Sequence, residues 1–415
     1  MIFFRKHIDT ERMTMTERQT GKNQITAKQE NVSLIKSLIY SDGPISRAQI
    51  AAKLGLTPPT ITNIIGEMIE QGLVEEIRED AAKNAGKAGR HPIMVDFIAR
   101  SVYALGISLG RDKTHYCITD LRGNPVMQGE MEVMPDGFAK MMDRLYGIIE
   151  SVRRNFPECW EKLAGIGIAV PAIVDAHIGV IKQIDQERVS WKDQPLAQLL
   201  QEKYGLPVRV ENNVRARTYM ISLFRPEITA GYNTYCLCYA SWGIACPMIV
   251  KNKSIRGEGG AAGELGHIVM DPETGATLEE YASLKSVLQK CRKLMEEGKA
   301  PVLSAICSDP ASLTIEQIGE AQKQGDEEVR RVMETAMRYI GISLSSIVSF
   351  INPELIILSG PMFLTPEHTA YAEQIMRQYA YTADITHTVV KYAEFSDYGG
   401  ALAAAAACLD KYFIR

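Results

Sequence analysis

Between Pro44 and Gly72 the chain spells out two helices joined by a turn too short for anything but a tight crossing. Ser46 can cap a helix, and Gln49 three residues later completes a capping box. That helix buries Ile50, Ala51 and Leu54 and stops at Gly55. Leu56-Thr57-Pro58-Pro59 follows. Thr57 can cap the next helix, and Pro58 suits its first position, where a missing N–H leaves nothing unsatisfied. Ile61, Ile64, Ile65 and Met68 recur at helical spacing and form its buried face. At about 100° per residue, Pro59, Asn63 and Gly66 fall opposite, flanked by Thr60 and Glu67. Gly72 closes the helix.

The flanks complete the unit. Val32, Ile35 and Ile39, with Leu34 and Leu38 beside them, predict an amphipathic helix ended by Ser41-Asp42-Gly43-Pro44. Leu73–Ile77 and Ile93–Phe97 read as two strands of a hairpin whose loop carries Lys83, Lys87 and Arg90 among Gly and Ala. Residues 28–98 therefore spell a winged helix-turn-helix, a pattern that places its third helix in the DNA major groove. The outer face of that helix offers Thr57, Pro59, Thr60 and Asn63, small enough to approach base edges. Ser46 and Arg47 are placed to hold phosphates at the second helix, with Lys87 and Arg90 in the wing and Arg90 suited to a minor groove. The competing reading is a small helical protein-interaction domain. The chain carries a net charge of only −4, so phosphate affinity is expected to be moderate and DNA binding to need a dimer or tetramer.

Residues 1–27 are polar without apolar periodicity and read as a disordered arm. Met1-Ile2-Phe3-Phe4 is too short for a signal-peptide core, and no apolar run has the length of a membrane span. The 8 cysteines are scattered. Free buried thiols in a reducing cytoplasm are the simplest account.

From Ser101 the pattern becomes α/β. Tyr103–Gly110 reads as a strand entering a tight turn, His115–Thr119 as its partner, and Leu163–Val170 as a buried strand ended by Pro171. Val208–Asn213 is a strand with polar residues at its tip. Ligands in open α/β sheets bind at the carboxyl ends of strands, which puts Asn212 and Asn213 at a pocket. A second set of strands, Tyr235–Tyr239, Met248–Val250 and Pro353–Ser359, alternates with helices at Leu278–Gly298, Ile315–Lys323 and Asp326–Phe350. The expected division is a first lobe at 101–230, joined by the last helix at 399–412, and a second lobe at 231–398, with a cleft between. In the second lobe, Gly259–His267 sets Glu264 and His267 three residues apart in a run too small to build a core. Glycine lets backbone approach a ligand, and a carboxylate with an imidazole suits a ligand covered in hydroxyls. Glu279 follows in Leu278-Glu279-Glu280-Tyr281-Ala282-Ser283. A solvated loop is the competing reading.

These pieces resemble the ROK family of sugar kinases and sugar-responsive repressors, over about residues 30–410. The matching runs are Gly106-Ile107, Gly167–Pro171, Glu211-Asn212, Ala262-Gly263-Glu264-Leu265-Gly266-His267, Leu278–Ser283 and Asn352-Pro353-Glu354. The fused winged helix resembles the repressor branch. The resemblance implies an α/β chain with an N-terminal winged helix-turn-helix and a two-lobed, actin-like sugar-kinase ATPase fold. It implies sugar ligands at Asn212, Glu264, His267 and Glu279, with Asn213 beside them.

Departures from the family pattern exclude its chemistry. Where family kinases have Asp-x-Gly-Gly-Thr after the first strand, this chain reads Ser108-Leu109-Gly110-Arg111-Asp112. The second phosphate loop reads Ser241-Trp242-Gly243-Ile244-Ala245, and Trp242 crowds nucleotide. Asn213 stands at the catalytic Asp and cannot accept a proton from a sugar hydroxyl. The family's Cys-x-Cys-x4-Cys zinc run is absent between His267 and Glu279, and His267 alone cannot hold zinc. The expected protein is a regulator of carbohydrate genes, probing operator DNA and a sugar, without enzyme activity, cofactor or metal. An active sugar kinase, the alternative, would have kept its phosphate turns and catalytic Asp.

Overall fold

A computed structural model of the chain describes residues 24–77, 92–111, 113–132, 137–186, 189–381 and 387–415. The N-terminal unit runs α1 (Gln24–Asp42), β1 (Ile45–Ser46), α2 (Arg47–Leu54), α3 (Pro58–Glu70), β2 (Val74–Ile77) and β3 (Met94–Phe97), its small sheet ordered β1-β3-β2. Helix α1 begins at Gln24, inside the stretch that composition assigns to the arm. The caps form as spaced: the Ser46 hydroxyl accepts from Gln49 N–H while the Gln49 side chain accepts from Ser46 N–H, and Gly55 turns left-handed to end α2. Thr57 caps α3, with proline opening the helix. Ile61, Ile64, Ile65 and Met68 are buried, each contributing about 1.5–3 kcal/mol by leaving water.

The first lobe follows as β4 (Tyr103–Leu109), β5 (Lys113–Asp120), β6 (Pro125–Glu132), α4 (Phe138–Asn155), α5 (Pro157–Trp160) and β7 (Leu163–Val170). It continues with β8 (Ile173–Asp175), β9 (Val180–Gln186), β10 (Val189–Gln194), α6 (Leu196–Tyr204), β11 (Val208–Asn212), α7 (Asn213–Phe224) and α8 (Pro226–Thr229). Its sheet is ordered β11-β7-β4-β5-β6, with β11, β7 and β4 parallel. The strands β8, β9 and β10 form a separate antiparallel flap; neither it nor β6 stood out in the sequence.

The second lobe comprises β12 (Tyr235–Ala240), β13 (Ile244–Ala245), β14 (Met248–Val250), β15 (Lys253–Ile255), α9 (Leu278–Ala282), α10 (Leu284–Glu296) and α11 (Pro301–Ile306). After these come α12 (Ile315–Lys323), α13 (Glu327–Ile351), β16 (Leu355–Ser359), α14 (Pro366–Tyr379), β17 (Val389–Tyr392) and α15 (Gly399–Leu409). Its sheet is ordered β15-β14-β12-β16-β17. The single helix expected over Leu278–Gly298 is broken at Ser283. The Ser283 hydroxyl accepts from Ser286 N–H and starts α10 afresh, which frees α9 to take its own direction.

Helix α15 returns to the first sheet. It comes so close that a Cβ on Gly106 would lie 2.0 Å from the Ala401 carbonyl oxygen, and one on Gly167 would lie 1.9 Å from that of Ala404. An alanine-rich helix and two strand glycines are what allow that approach.

The winged unit does not hang on a linker. Ile35, Ile39, Tyr40 and Phe97 share one core with Val102, Ala104 and Leu121 of the first lobe and with Leu409, Phe413 and Ile414 of the C-terminus. The Tyr40 hydroxyl donates to the Leu121 carbonyl at 2.6 Å. Arg122 pairs with Asp96 and donates to the Tyr40 carbonyl, while the Ser33 hydroxyl donates to the Arg415 carbonyl. Helix α1 and the first lobe are therefore built as one body.

Candidate ligand cleft and DNA-binding face

Strand β11 delivers its carboxyl end to the cleft, and a buried charge cluster fixes what it delivers. The Glu211 carboxylate is fully buried. Arg209 donates to it at 2.8 Å, and Arg256 of the second lobe donates at 3.1 and 2.7 Å. Arg215 lies 4.0 Å away. Burial pushes the Glu211 carboxyl up, but the Arg256 hydrogen bond and the three guanidinium charges outweigh that and hold it below the usual carboxylate range. Arg215 in turn donates to the Gly260 and Ala262 carbonyls at 3.1 and 2.7 Å. Two arginines thus cross between the lobes in opposite directions, and both hold the glycine-rich loop or the strand that leads into it.

That loop carries Glu264 and His267. Gly263 takes a φ of +93°, and a Cβ there would meet the Cys246 carbonyl oxygen at 2.9 Å, so the backbone needs glycine on both counts. The loop turns Glu264 and His267 outward. Both are exposed, and neither side chain makes a hydrogen bond among the described residues. Partial burial raises the Glu264 carboxyl; His267 and Arg215 pull it down, and Glu279 pushes it up further. Glu264, His267, Arg215 and Glu279 are gathered closely enough to act on one another.

Glu279, in the first turn of α9, has a fixed role besides. Its Oε1 accepts from Ile244 N–H at 2.8 Å, and a Cβ on Gly266 would lie 2.4 Å from that oxygen. The glycine before His267 is thus what admits Glu279 to the site. Asn212 is also partly committed: its Oδ1 accepts from Val214 and Arg215 N–H at 3.0 Å each to cap α7, and its Nδ2 donates to the Ala172 carbonyl at 3.2 Å. Asn213 Oδ1 accepts from Val214 N–H at 2.9 Å.

The former phosphate region is filled. Arg111, in the turn after β4, stacks on Trp242 of the second lobe with its guanidinium carbon 4.3 Å from the ring centroid. The contact sets a guanidinium and an indole where the resemblance places the family's two phosphate turns. The segment replacing the family's zinc loop is a turn bridged between Val269 and Thr277 and organised by Asp271, which accepts from Glu273 N–H at 2.9 Å. It contains no cysteine, and all eight cysteines are buried elsewhere. The residues present do not fit zinc.

On the winged unit, Thr57, Pro59 and Asn63 are exposed and Thr60 half-buried. Thr57 and Thr60 are tied to each other through their hydroxyls at 2.8 Å. Ser46 is engaged locally. Its side chain is buried and spent on the capping box, donating to Gln49 Oε1 at 2.8 Å. Arg47 pairs with Glu76 of β2 at 2.5 Å. Lys87 and Arg90 lie outside the described residues.

Comparison with known proteins agrees with this geometry. A ROK family profile matches residues 104–411, and a winged helix-turn-helix DNA-binding profile matches residues 35–75. The chain belongs to the ROK family. It is 25% identical to a xylose repressor of Caldicellulosiruptor bescii over 392 residues, covering 90% of this chain and 94% of that one. It is 24% identical to the DNA-binding transcriptional repressor Mlc of Escherichia coli, with 91% and 92% covered. Among solved structures, a ROK family transcriptional regulator described as a homolog of Mlc superposes with a TM-score of 0.76 at 23% identity, over 93% of this chain and 97% of that one. A ROK family glucokinase from Streptomyces griseus, solved with glucose and AMPPNP, gives 0.63 at 20% identity over 73% and 98%.

Sequence reading missed Arg215, Arg256 and the part Glu211 plays. The available signal was a Glu inside an otherwise apolar strand, two residues after Arg209 and four before Arg215. A carboxylate there must be paired if it is buried.

Proposed function

We propose that this protein is a transcriptional repressor of carbohydrate genes whose winged unit binds operator DNA and whose interlobe cleft binds a sugar, without transferring phosphate. One observation carries the reading: the lobe that supplies Asn212 is fused through a common core to the DNA-binding helices, so whatever moves the cleft moves the winged unit. The relatives named as repressors support it. The xylose repressor and an N-acetylglucosamine repressor of Escherichia coli, 27% identical over 350 residues, carry different sugars in their names, so the chemistry proposed here is a polyhydroxylated sugar held by Glu264, His267 and Glu279 beside Asn212 and Asn213. Thr57, Pro59, Thr60 and Asn63 are proposed to face base edges, with Arg47, Lys87 and Arg90 on phosphates or the minor groove. A homodimer or homotetramer in the cytoplasm fits two winged units spanning half-sites one helical turn apart, about 34 Å.

The test is a thermal-unfolding screen of the purified protein against a panel of sugars, followed by operator binding with and without each stabilising sugar. A ligand that binds only the folded state must raise its stability. A sugar that stabilises the protein and weakens operator binding is the expected result. A panel in which no sugar does either removes the sensing half of the proposal.

A further inference from the structure

Arg215 is bonded to both halves of the cleft. Its backbone N–H donates to Asn212 Oδ1 at 3.0 Å. Its Nη1 and Nη2 donate across the cleft to the Gly260 and Ala262 carbonyls at 3.1 and 2.7 Å. The side chain is only 3% exposed, so these bonds from a charged donor are made out of water, where they are strongest.

The two carbonyls lie just before Gly263 and Glu264. Gly260 and Gly263 take φ of +82° and +93°, and glycine leaves such a conformation at little cost. The loop's own sequence therefore does not fix the direction in which Glu264 leaves the backbone. Ala262 N–H donates to the Arg256 carbonyl at 2.9 Å, and Cys246 N–H to the Gly263 carbonyl at 2.7 Å. Arg215 adds the hold from the first lobe. The flap closes Gly260 from another side, since a Cβ there would lie 2.7 Å from the Val174 carbonyl oxygen. A planar guanidinium fork meets two carbonyls in one orientation, which a lysine ammonium cannot do. Its charge also reaches Glu264, drawing that carboxyl down together with His267 and against burial and Glu279. Glu211 does not depend on Arg215 for a hydrogen bond: Arg209 and Arg256 donate to it, while Arg215 stands 4.0 Å away.

We propose that Arg215 is a positioning residue of the cleft: its guanidinium fixes the loop carbonyls that aim Glu264 at a sugar held on the other side by Asn212. The proposal rests on the sugar-site reading of the cleft. It makes sugar affinity depend on a buried arginine that does not itself touch the sugar.

The experiment uses the full-length protein with and without sugar. Without sugar, carbon-13 carboxyl resonances of labelled glutamates are followed against pH, with Glu264→Gln assigning the Glu264 signal. Arg215→Met should shift the Glu264 titration upward, and Arg215→Lys, which keeps the charge, should return it towards wild type. Amide exchange over residues 257–263 should be faster in Arg215→Met and intermediate in Arg215→Lys, with the strands of both sheets unchanged. Xylose, glucose and N-acetylglucosamine then serve as probes. The affinity of any that stabilises wild type should fall about tenfold or more in Arg215→Met, the worth of one hydrogen bond from a charged donor, and recover in part in Arg215→Lys. The proposal is overturned if Arg215→Met leaves loop exchange or sugar affinity as in wild type, or if exchange rises throughout the lobe while Glu264 titrates as before. Should Arg215→Met fail to fold, loop exchange in Arg215→Lys no faster than wild type overturns it instead. If no probe stabilises wild type, the sugar reading falls, and the sugar-free titration and exchange still decide whether Arg215 holds Glu264.

Discussion

The Arg111 guanidinium lies over the Trp242 indole, 4.3 Å from its centroid, and so ties the first lobe to the second across the place where a kinase of this fold admits nucleotide phosphates. A cation–π contact of this kind contributes about 0.5–2 kcal/mol. With Asn213 in place of a proton acceptor, the site has lost its base. Incubation with ATP, magnesium and a sugar panel should consume no ATP above background, and the double variant Arg111→Gly, Trp242→Gly should gain no turnover, because opening the space does not restore a base. Turnover at roughly 1 s⁻¹ in either protein would contradict this.

Glu211 should be indispensable to the fold of the cleft. Replacing it with Gln leaves Arg209, Arg215 and Arg256 facing one another in a buried site, and breaking a buried charge cluster costs about 3–5 kcal/mol. The pH dependence has a definite sign. The folded carboxyl sits below its unfolded value, so its contribution is present above the ordinary Glu range and is lost as pH falls through the folded value. Chemical denaturation of wild type and Glu211→Gln across that window should show the gap between them narrowing on acidification. A gap independent of pH would mean that the carboxylate is not what the arginines hold.

Much of this was legible in the sequence because it is local. A capping box, a proline at the first helical position and a glycine stop each act within a few residues, so Ser46–Gly72 folds as its spacing dictates. The Glu264-Leu265-Gly266-His267 run was legible because small residues around two polar ones leave few structural roles. The Arg215 and Arg256 crossings were not, since each joins residues about 45 positions apart and nothing local marks which carbonyl or carboxylate an arginine will meet. The flap of β8, β9 and β10 was missed because its strands are short and interrupted by polar residues. The Ser46 cap was legible for the same local reason, since Gln49 lies three residues away and its N–H and side chain both reach the hydroxyl.

Glu264 is held in a state that costs stability at neutral pH. Burial and neighbouring Glu279 raise its carboxyl above the ordinary value. A raised carboxylate contributes stability only at low pH, and that stability is lost as pH rises through the folded value. Glu264→Gln should therefore unfold at a slightly higher temperature than wild type at neutral pH, with the difference vanishing in acid, while its response to the stabilising sugar disappears. A variant that loses the sugar response and is also destabilised at neutral pH would place Glu264 in the structure of the loop instead.

On the DNA side, Asn63 projects from the exposed face of α3 opposite the buried Ile61, Ile64 and Ile65. An amide can pair two ways with adenine, so Asn63→Ala should cost about 1–3 kcal/mol at one operator position and relax base choice there. Arg47→Ala should instead weaken all sequences alike and shallow the salt dependence, as loss of a phosphate contact does. Equilibrium binding to the operator and to single-base variants at two salt concentrations separates the two patterns. If Asn63→Ala bound every operator variant as wild type does, α3 would not be the reading helix.

Coupling between the cleft and the winged unit should run through the Arg122, Asp96 and Tyr40 contacts. Arg122 pairs with Asp96 and donates to the Tyr40 carbonyl at 3.3 Å, while the Tyr40 hydroxyl reaches the Leu121 carbonyl. These fix the winged unit to the lobe that carries Asn212, and the second lobe carries Glu264, His267 and Glu279. A sugar touching both lobes favours one cleft geometry, and it can shift operator binding only by its differential affinity, typically 1–3 kcal/mol or about 5- to 150-fold. The same factor must separate sugar affinity with and without DNA. Arg122→Ala together with Tyr40→Phe removes the side-chain bonds to Asp96, the Tyr40 carbonyl and the Leu121 carbonyl, and leaves the shared apolar core and the Ser33 contact to the C-terminus. This variant should bind sugar as tightly as wild type and bind operator nearly as well, but lose most of the sugar's effect on DNA. Titrating sugar into the operator complex of each protein measures that effect directly. An undiminished effect in the variant would mean that the signal crosses without these bonds, through the apolar core of Ile39, Phe97 and Phe413 and the contact of Ser33 with the C-terminus.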